Sequence, residues 1–159
     1  MAYEHHLQPG HSIHMWIRFL IYGTLGWAVE IIWTGLGSIL RRDARLVGRT
    51  YLWMFLIYGL AAPLLEPIHF AVAHLAWPWR GLIWAGSIFT IEYITGWLLR
   101  EATGSCPWDY TGVRLSVNGL IRLDYAPAWF VLGLLFERLH RALLALTPTL
   151  MSLMSYRWR

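Results

Sequence analysis

Lysine is absent from the 159 residues, and cysteine occurs once, at Cys106. A single thiol excludes an internal disulfide. Without lysine there is no phosphate loop of the Gly-x-x-x-x-Gly-Lys-Ser/Thr kind, so ATP hydrolysis would need a separate chain. The Gly-x-Ser-x-Gly elbow of the α/β hydrolases is missing too. Charge of either sign is scarce, at 14% of residues, and only nine of them are acids. The net charge of +4 rests wholly on arginine. With no separate soluble basic domain, that balance suits anionic lipid headgroups and gives no argument for nucleic acid.

What fills the chain instead is apolar and aromatic. Hydrophobic residues make up 57%, with 11 Trp and 8 Tyr, and mean hydropathy is +0.45. Trp and Tyr are the rings that settle at bilayer interfaces. Four apolar runs, about 13–40, 50–76, 82–99 and 126–146, are separated by polar or basic segments. At ~1.5 Å per helical residue, they suit a hydrocarbon core of ~30 Å. The expectation is an all-α integral membrane protein forming one domain over residues 1–159. It would be a four-transmembrane-helix up-down bundle with both termini on one side. Seven arginines fall on one side and six on the other, which sets no orientation.

Local features add detail. His5, His6, His11 and His14 form either a metal-binding tail or a solvated one. Arg18 is placed to snorkel from the lower end of the first span. Pro63 and Pro67 predict a kink in the second span. Trp77-Pro-Trp79-Arg80-Gly81 reads as a tight hairpin, and Pro148 as the stop of the fourth span before an interfacial tail. The connection 101–124 is long enough to demand structure or function of its own. It is expected at the interface, held to the helix ends by Trp108, Asp109, Tyr110 and Asn118, with Asp109 accepting backbone N–H bonds in a turn.

Within the apolar runs, Phe19-Leu-Ile-Tyr-Gly23 with Glu30 recurs as Phe55-Leu-Ile-Tyr-Gly59 with Glu66, at a constant offset of 36 (55 − 19 and 66 − 30). The other two spans carry Glu92 and Glu137. An ionisable group within a membrane is costly and normally faces protein or water. Small residues share the faces of these acids, among them Gly23, Gly26, Gly59, Ala62, Ala85, Gly96 and Gly133, as close helix packing requires. The four glutamates are therefore expected to point inward as a candidate ion- or proton-binding set. They could equally be protonated and hydrogen-bonded to neighbours such as Tyr22, Tyr58, Tyr93 or Thr95, acting only as helix glue. Glu137 also has Arg141 at i+4 as an ordinary pair.

Glu66-Pro-Ile-His69 and Glu137-Arg-Leu-His140 are both Glu-x-x-His. With Glu30 and Glu92 they complete the six-residue ligand order of di-iron and di-manganese carboxylate bundles. Iron, manganese or zinc would suit those donors.

Glu92-Tyr-Ile-Thr-Gly96, Cys106-Pro-Trp-Asp-Tyr110, Asn118-Gly-Leu-Ile121 and Asp124-Tyr-Ala-Pro-Ala-Trp129 together resemble the transmembrane protein 229 family and its bacterial CmpB-type relatives, described as type IV ABC-transporter permeases. Thr111 stands where those relatives usually carry Ser. The resemblance covers most of residues 18–140 and implies a small multi-span protein of a bacterial inner membrane. It also implies transport, with a separate ATPase subunit as partner. Three readings stand: a permease-like transporter coupled to a cation or proton, a membrane di-metal oxidoreductase, and a non-catalytic assembly protein. Four helices could also line a site as a homo-oligomer.

Overall fold

The computed structural model describes residues 9–40 and 42–156, with side chains described for 14–40 and 42–146. His5, His6, the His11 side chain and the terminal Arg157-Trp158-Arg159 lie outside the described residues. The helices are α1 (Pro9–Leu40), α2 (Leu52–Gly59), α3 (Glu66–Val72), α4 (Trp77–Thr103) and α5 (Ala126–Tyr156), with a π-helical segment at Ala61–Leu65. Three stretches, His14–Leu40, Leu52–Val72 and Trp77–Thr103, are long and apolar enough to cross a bilayer. Helices satisfy their own backbone polar groups, which is what a hydrocarbon environment requires. The protein is an integral membrane protein. It divides into two compact units, Met1–Pro67 and Ile68–Arg159.

In the first unit α1 packs on α2 and on the π segment. The repeated pentapeptide explains the fit. Phe55 lies on Gly23 and Phe19 lies on Gly59, so each copy supplies a ring to the glycine of the other. A Cβ on Gly23 would stand 2.7 Å from the Phe55 carbonyl oxygen, and one on Gly59 would stand 2.6 Å from the Phe19 ring. Only a residue without Cβ permits this approach. The connection after α1 is strapped back along it. Thr34 Oγ1 donates to the Arg49 carbonyl at 2.9 Å, and Ser38 Oγ donates to the Val47 carbonyl at 3.0 Å. Trp27 Nε1 donates to the Tyr51 carbonyl at 2.9 Å.

The second span departs from a simple proline kink. Pro63 lies inside the π segment Ala61–Leu65, where the helix widens by one residue. Proline removes one N–H and crowds the carbonyl four residues earlier, and a π turn relieves both. The helical path ends at Val72 rather than near residue 76.

In the second unit α4 packs on α5. A Cβ on Gly81 would overlap the Phe130 ring, and one on Gly133 would overlap Trp84. The segment Trp77-Pro-Trp79-Arg80-Gly81 is no hairpin; it is the start of α4. Pro78 occupies the first turn, where its missing N–H has no helical partner to lose. The helix runs on to Thr103 and closes at Gly104 (φ 75), whose N–H bonds the Arg100 carbonyl at 2.9 Å. That is the left-handed cap glycine favours. α5 does not stop at Pro148 but continues across it to Tyr156.

The chain is mostly helical, as expected, and the connection after α4 carries the one short hairpin among the described residues. Strands β1 (Ser116–Val117) and β2 (Ile121–Arg122) pair antiparallel. Asn118 (φ 53) and Gly119 (φ 70) form the turn, both in the left-handed region that tight hairpins require. The hairpin lies on α4. Leu120, 1% exposed, and Trp108 cover Gly96, and Trp108 Nε1 donates to the Leu120 carbonyl at 2.8 Å. Arg100 Nη1 donates to the Asn118 carbonyl at 3.0 Å, and Asn118 Nδ2 donates to the Tyr93 hydroxyl at 2.8 Å. Asp109 Oδ1 accepts the Thr111 N–H at 2.8 Å, and hydrogen bonds from Thr111 hold its carboxyl below the usual carboxylate range. Arg122 pairs with Asp124 and lies over the Tyr125 ring, 4.4 Å from its centroid.

Candidate functional site

Glu66 is clamped. Arg18 Nε donates to Oε1 at 2.6 Å and Nη2 to Oε2 at 2.8 Å, and the Tyr22 hydroxyl donates to Oε1 at 3.1 Å. Arg18, Tyr22 and Glu66 are all buried. Arg18 and Tyr22 stand four residues apart on α1 and so share a face. The snorkelling role expected of Arg18 is replaced by this pair. A guanidinium facing apolar helix surface gains more from a carboxylate fork than from a partial reach toward water.

Glu30 is held differently. Thr50 Oγ1 donates to its Oε2 at 2.6 Å, and the Tyr58 hydroxyl is a second donor. Gly26 makes room for that tyrosine, because a Cβ there would overlap Tyr58. Among the described residues no arginine or histidine pairs with Glu30.

The second unit contains the same two kinds of carboxyl. Glu137, 3% exposed, accepts at Oε1 from Arg80 Nε at 2.9 Å and from Trp84 Nε1 at 2.8 Å. Arg80 also caps the Leu75 carbonyl at 3.0 Å. Arg141 instead donates to the Glu137 main-chain carbonyl at 3.3 Å, so the i+4 side-chain pair does not form. Glu92 accepts at Oε1 from the Tyr110 hydroxyl at 3.2 Å. The Trp129 indole acts on the same carboxyl from close by but outside hydrogen-bond geometry. Glu92 Oε2 and Trp129 Nε1 are accordingly both buried without a hydrogen bond.

His69 and His140 also meet within this unit, their rings 5.0 Å apart and edge-on. Phe136 stacks on His140 at an interplanar angle of 14°, and Phe70 lies edge-on to both imidazoles. Among the described residues no three His, Cys, Asp or Glu side chains are grouped to hold a metal ion. Cys106 is half-buried beside Gly96, and burial pushes its thiol above the ordinary range.

Sequence reasoning found the acids but missed most of their partners. Arg18 reads from the sequence as a snorkelling cation and Arg80 as part of a hairpin, and no motif there marks Trp84 or Trp129 as a donor to an acid. The available signal was spacing: Arg18 with Tyr22, and Arg80 with Trp84, each place a cation and an aromatic donor one turn apart.

No solved structure matches the chain. Residues 17–158 match the family described as "Putative ABC-transporter type IV", the CmpB group. With nearly the whole chain matched, and apolar helices in place to cross a bilayer, this protein belongs to that ABC-transporter type IV family.

Proposed function

We propose that the protein is a permease-like membrane transporter in which Glu30 and Glu92 bind the coupling proton or cation. Glu66 and Glu137 fasten the helices. The observation that carries this reading is the division among the acids. Glu66 and Glu137 are neutralised by arginine, whereas among the described residues Glu30 and Glu92 receive only neutral donors. A carboxylate already locked to a guanidinium is a poor carrier of charge, while one held by hydroxyl groups can exchange its ion.

In this reading α5 is the fourth span, the membrane is a bacterial inner membrane, and a separate ATPase chain or a second copy completes the machine. Family membership supports the ATPase. The di-metal oxidoreductase has less support, because Glu66 and Glu137 would have to leave Arg18 and Arg80 to serve as ligands. The assembly reading fits Glu66 and Glu137 well but assigns nothing to Glu30 and Glu92.

Proteoliposomes loaded with a pH-sensitive dye test the proposal under an imposed potential, with and without sodium. Glu30→Gln and Glu92→Gln should each abolish most of the wild-type flux while the folded protein is recovered in normal yield. Wild-type flux in both variants would overturn it.

A further inference from the structure

Every long helical stretch carries one spacing. An aromatic donor precedes a glutamate by eight residues at Tyr22 and Glu30, Tyr58 and Glu66, Trp84 and Glu92, and Trp129 and Glu137. Within each unit the aromatic of one helix serves the glutamate of the other. Tyr22 binds Glu66 and Tyr58 binds Glu30; Trp84 binds Glu137 and Trp129 faces Glu92.

The correspondence extends in register. α1 maps onto α4 with an offset of 62: Arg18 to Arg80, Tyr22 to Trp84 and Glu30 to Glu92. Arg18-Phe-Leu-Ile-Tyr-Gly23 lies over Arg80-Gly-Leu-Ile-Trp-Ala85. The stretch α2 to α3 maps onto α5 with an offset of 71: Tyr58 to Trp129, Ala62 to Gly133, Glu66 to Glu137 and His69 to His140. One contact has changed hands. Phe19 on α1 lies over Gly59, whereas the corresponding Gly81 on α4 lies under Phe130, the counterpart of Gly59. Ring and gap have exchanged helices while the contact is kept. Shared membrane composition gives no reason for such a reciprocal swap, but descent from one packing arrangement does.

We propose that the chain is a tandem duplication of one helical hairpin, and that Glu30 and Glu92 are its two corresponding proton-binding carboxyls. The proposal rests on the reading given under Proposed function and narrows it from cation or proton to proton, with two sites per chain. Internal repeats of this kind are common in transporters. The shortage of oxygen ligands for a cation argues for the proton. Thr50, Tyr58 and Tyr110 offer O–H groups, and Trp129 offers an N–H that has no lone pair to give a metal ion. A hard cation needs several oxygen ligands, and each site brings one carboxyl and few other oxygens. A buried carboxyl with an open oxygen, as Glu92 has at Oε2, needs only its own proton to become neutral.

The full chain in phospholipid vesicles tests this by labelling with a hydrophobic carbodiimide at mildly acidic pH, read by peptide mass spectrometry. The protonated carboxyl adds across one C=N bond of the reagent, its proton passing to nitrogen and its oxygen to carbon. Acyl migration then fixes the adduct without any leaving group. Labels at both Glu30 and Glu92, to similar extent, absent from Glu66 and Glu137 and unaffected by excess sodium, are expected. Protection by sodium would overturn the proton assignment while leaving the transporter reading intact. A label at one site alone would overturn the equivalence of the two. No label at either site would overturn this proposal, while flux lost in Glu30→Gln and Glu92→Gln would still uphold the transporter reading.

The duplication has its own check. Phe19→Gly and Gly59→Phe should each lower thermal stability, and the double variant, which gives the first hairpin the arrangement of the second, should recover most of the loss. A double variant as unstable as the sum of the singles would overturn the shared packing.

Discussion

Arg18 and Glu66 form a two-pronged ion pair, 2.6 Å and 2.8 Å across its arms, with 9% and 7% of their side chains exposed. Both fall within the stretches suited to cross the bilayer. Either charge alone would be buried without a counter-charge, and together they carry none. Such a pair gives little net stability over an apolar one, yet breaking it is costly, because it strands the other charge.

The first prediction follows from that asymmetry. Arg18→Leu should lower the stability of the detergent-solubilised protein by about 3–5 kcal/mol, the usual cost of an uncompensated buried charge. Arg18→Leu with Glu66→Leu should recover most of it. Thermal unfolding followed by circular dichroism is the measurement. If the double variant is no better than the single, the two side chains are not coupled as the geometry requires.

A second prediction separates two glycines on or against α4. Gly133→Ala places a Cβ into Trp84, which must shift from its bond to Glu137. Overpacking of that kind costs about 1–3 kcal/mol. Gly86 has nothing within 4 Å of an added Cβ. Gly86→Ala should therefore be neutral, or gain up to about 1 kcal/mol from helix propensity. Melting temperatures of the two variants should move apart, and equal shifts would contradict the packing.

Much of this was legible in the sequence, for reasons that can be named. Hydropathy fixes helices in lipid, and an acid in an apolar run is visible as soon as the run is drawn. The small residues beside the acids were also visible, since close packing selects them by size. Tyr22 and Tyr58 are legible as hydroxyl partners. The arginines are not, because they come from the other helix of each unit. Arg18 and Arg80 lie near the starts of their apolar runs, where the economical guess is an interfacial cation. Only the pairing of the helices brings them to Glu66 and Glu137 on the neighbouring run. The pentapeptide repeat was seen, but its meaning, two rings each seated on the other's glycine, needed the pairing as well. The hairpin at Asn118-Gly119 was readable in principle, since that dipeptide is a strong turn signal. The length of the connection between two apolar runs points instead to an interfacial segment, which hides the turn signal.

A third prediction concerns that connection and pH. Hydrogen bonds from Thr111, its hydroxyl and then its amide, lower the folded-state pKa of Asp109. A depressed carboxylate contributes its stability above the ordinary value of about 3.9 and loses it as pH falls through the folded value. Protection of the Thr111 amide against hydrogen exchange should hold at neutral and mildly acidic pH and fall only below about pH 4. Asp109→Asn, which keeps an acceptor but not the charge, should weaken the protection and flatten its pH dependence. Loss of wild-type protection nearer neutrality would point to a different titrating group.

The last prediction compares two tryptophans that face two glutamates. Trp84 Nε1 donates to Glu137 at 2.8 Å, whereas Trp129 Nε1 is buried without a hydrogen bond beside Glu92. Trp84→Phe and Trp129→Phe each remove one indole and leave a ring, but Trp84 is fully buried and Trp129 half-buried, so the loss of packing is also larger at Trp84. They differ in what is left behind. At Trp84 a charge-assisted bond to a buried carboxylate disappears, worth about 1.5–3 kcal/mol. At Trp129 no such bond is lost, and a buried N–H without a hydrogen bond is removed, which by itself is favourable. Trp84→Phe should therefore destabilise the protein more than Trp129→Phe, by at least about the same 1.5–3 kcal/mol. Flux should rank them the other way, because Trp129 borders the carboxyl assigned to the proton and Trp84 borders one assigned to fastening. Thermal unfolding and the proteoliposome assay on the same two variants read both orders. If Trp129→Phe were the more destabilising and the less harmful to flux, the assignment of locked and open carboxyls would be reversed.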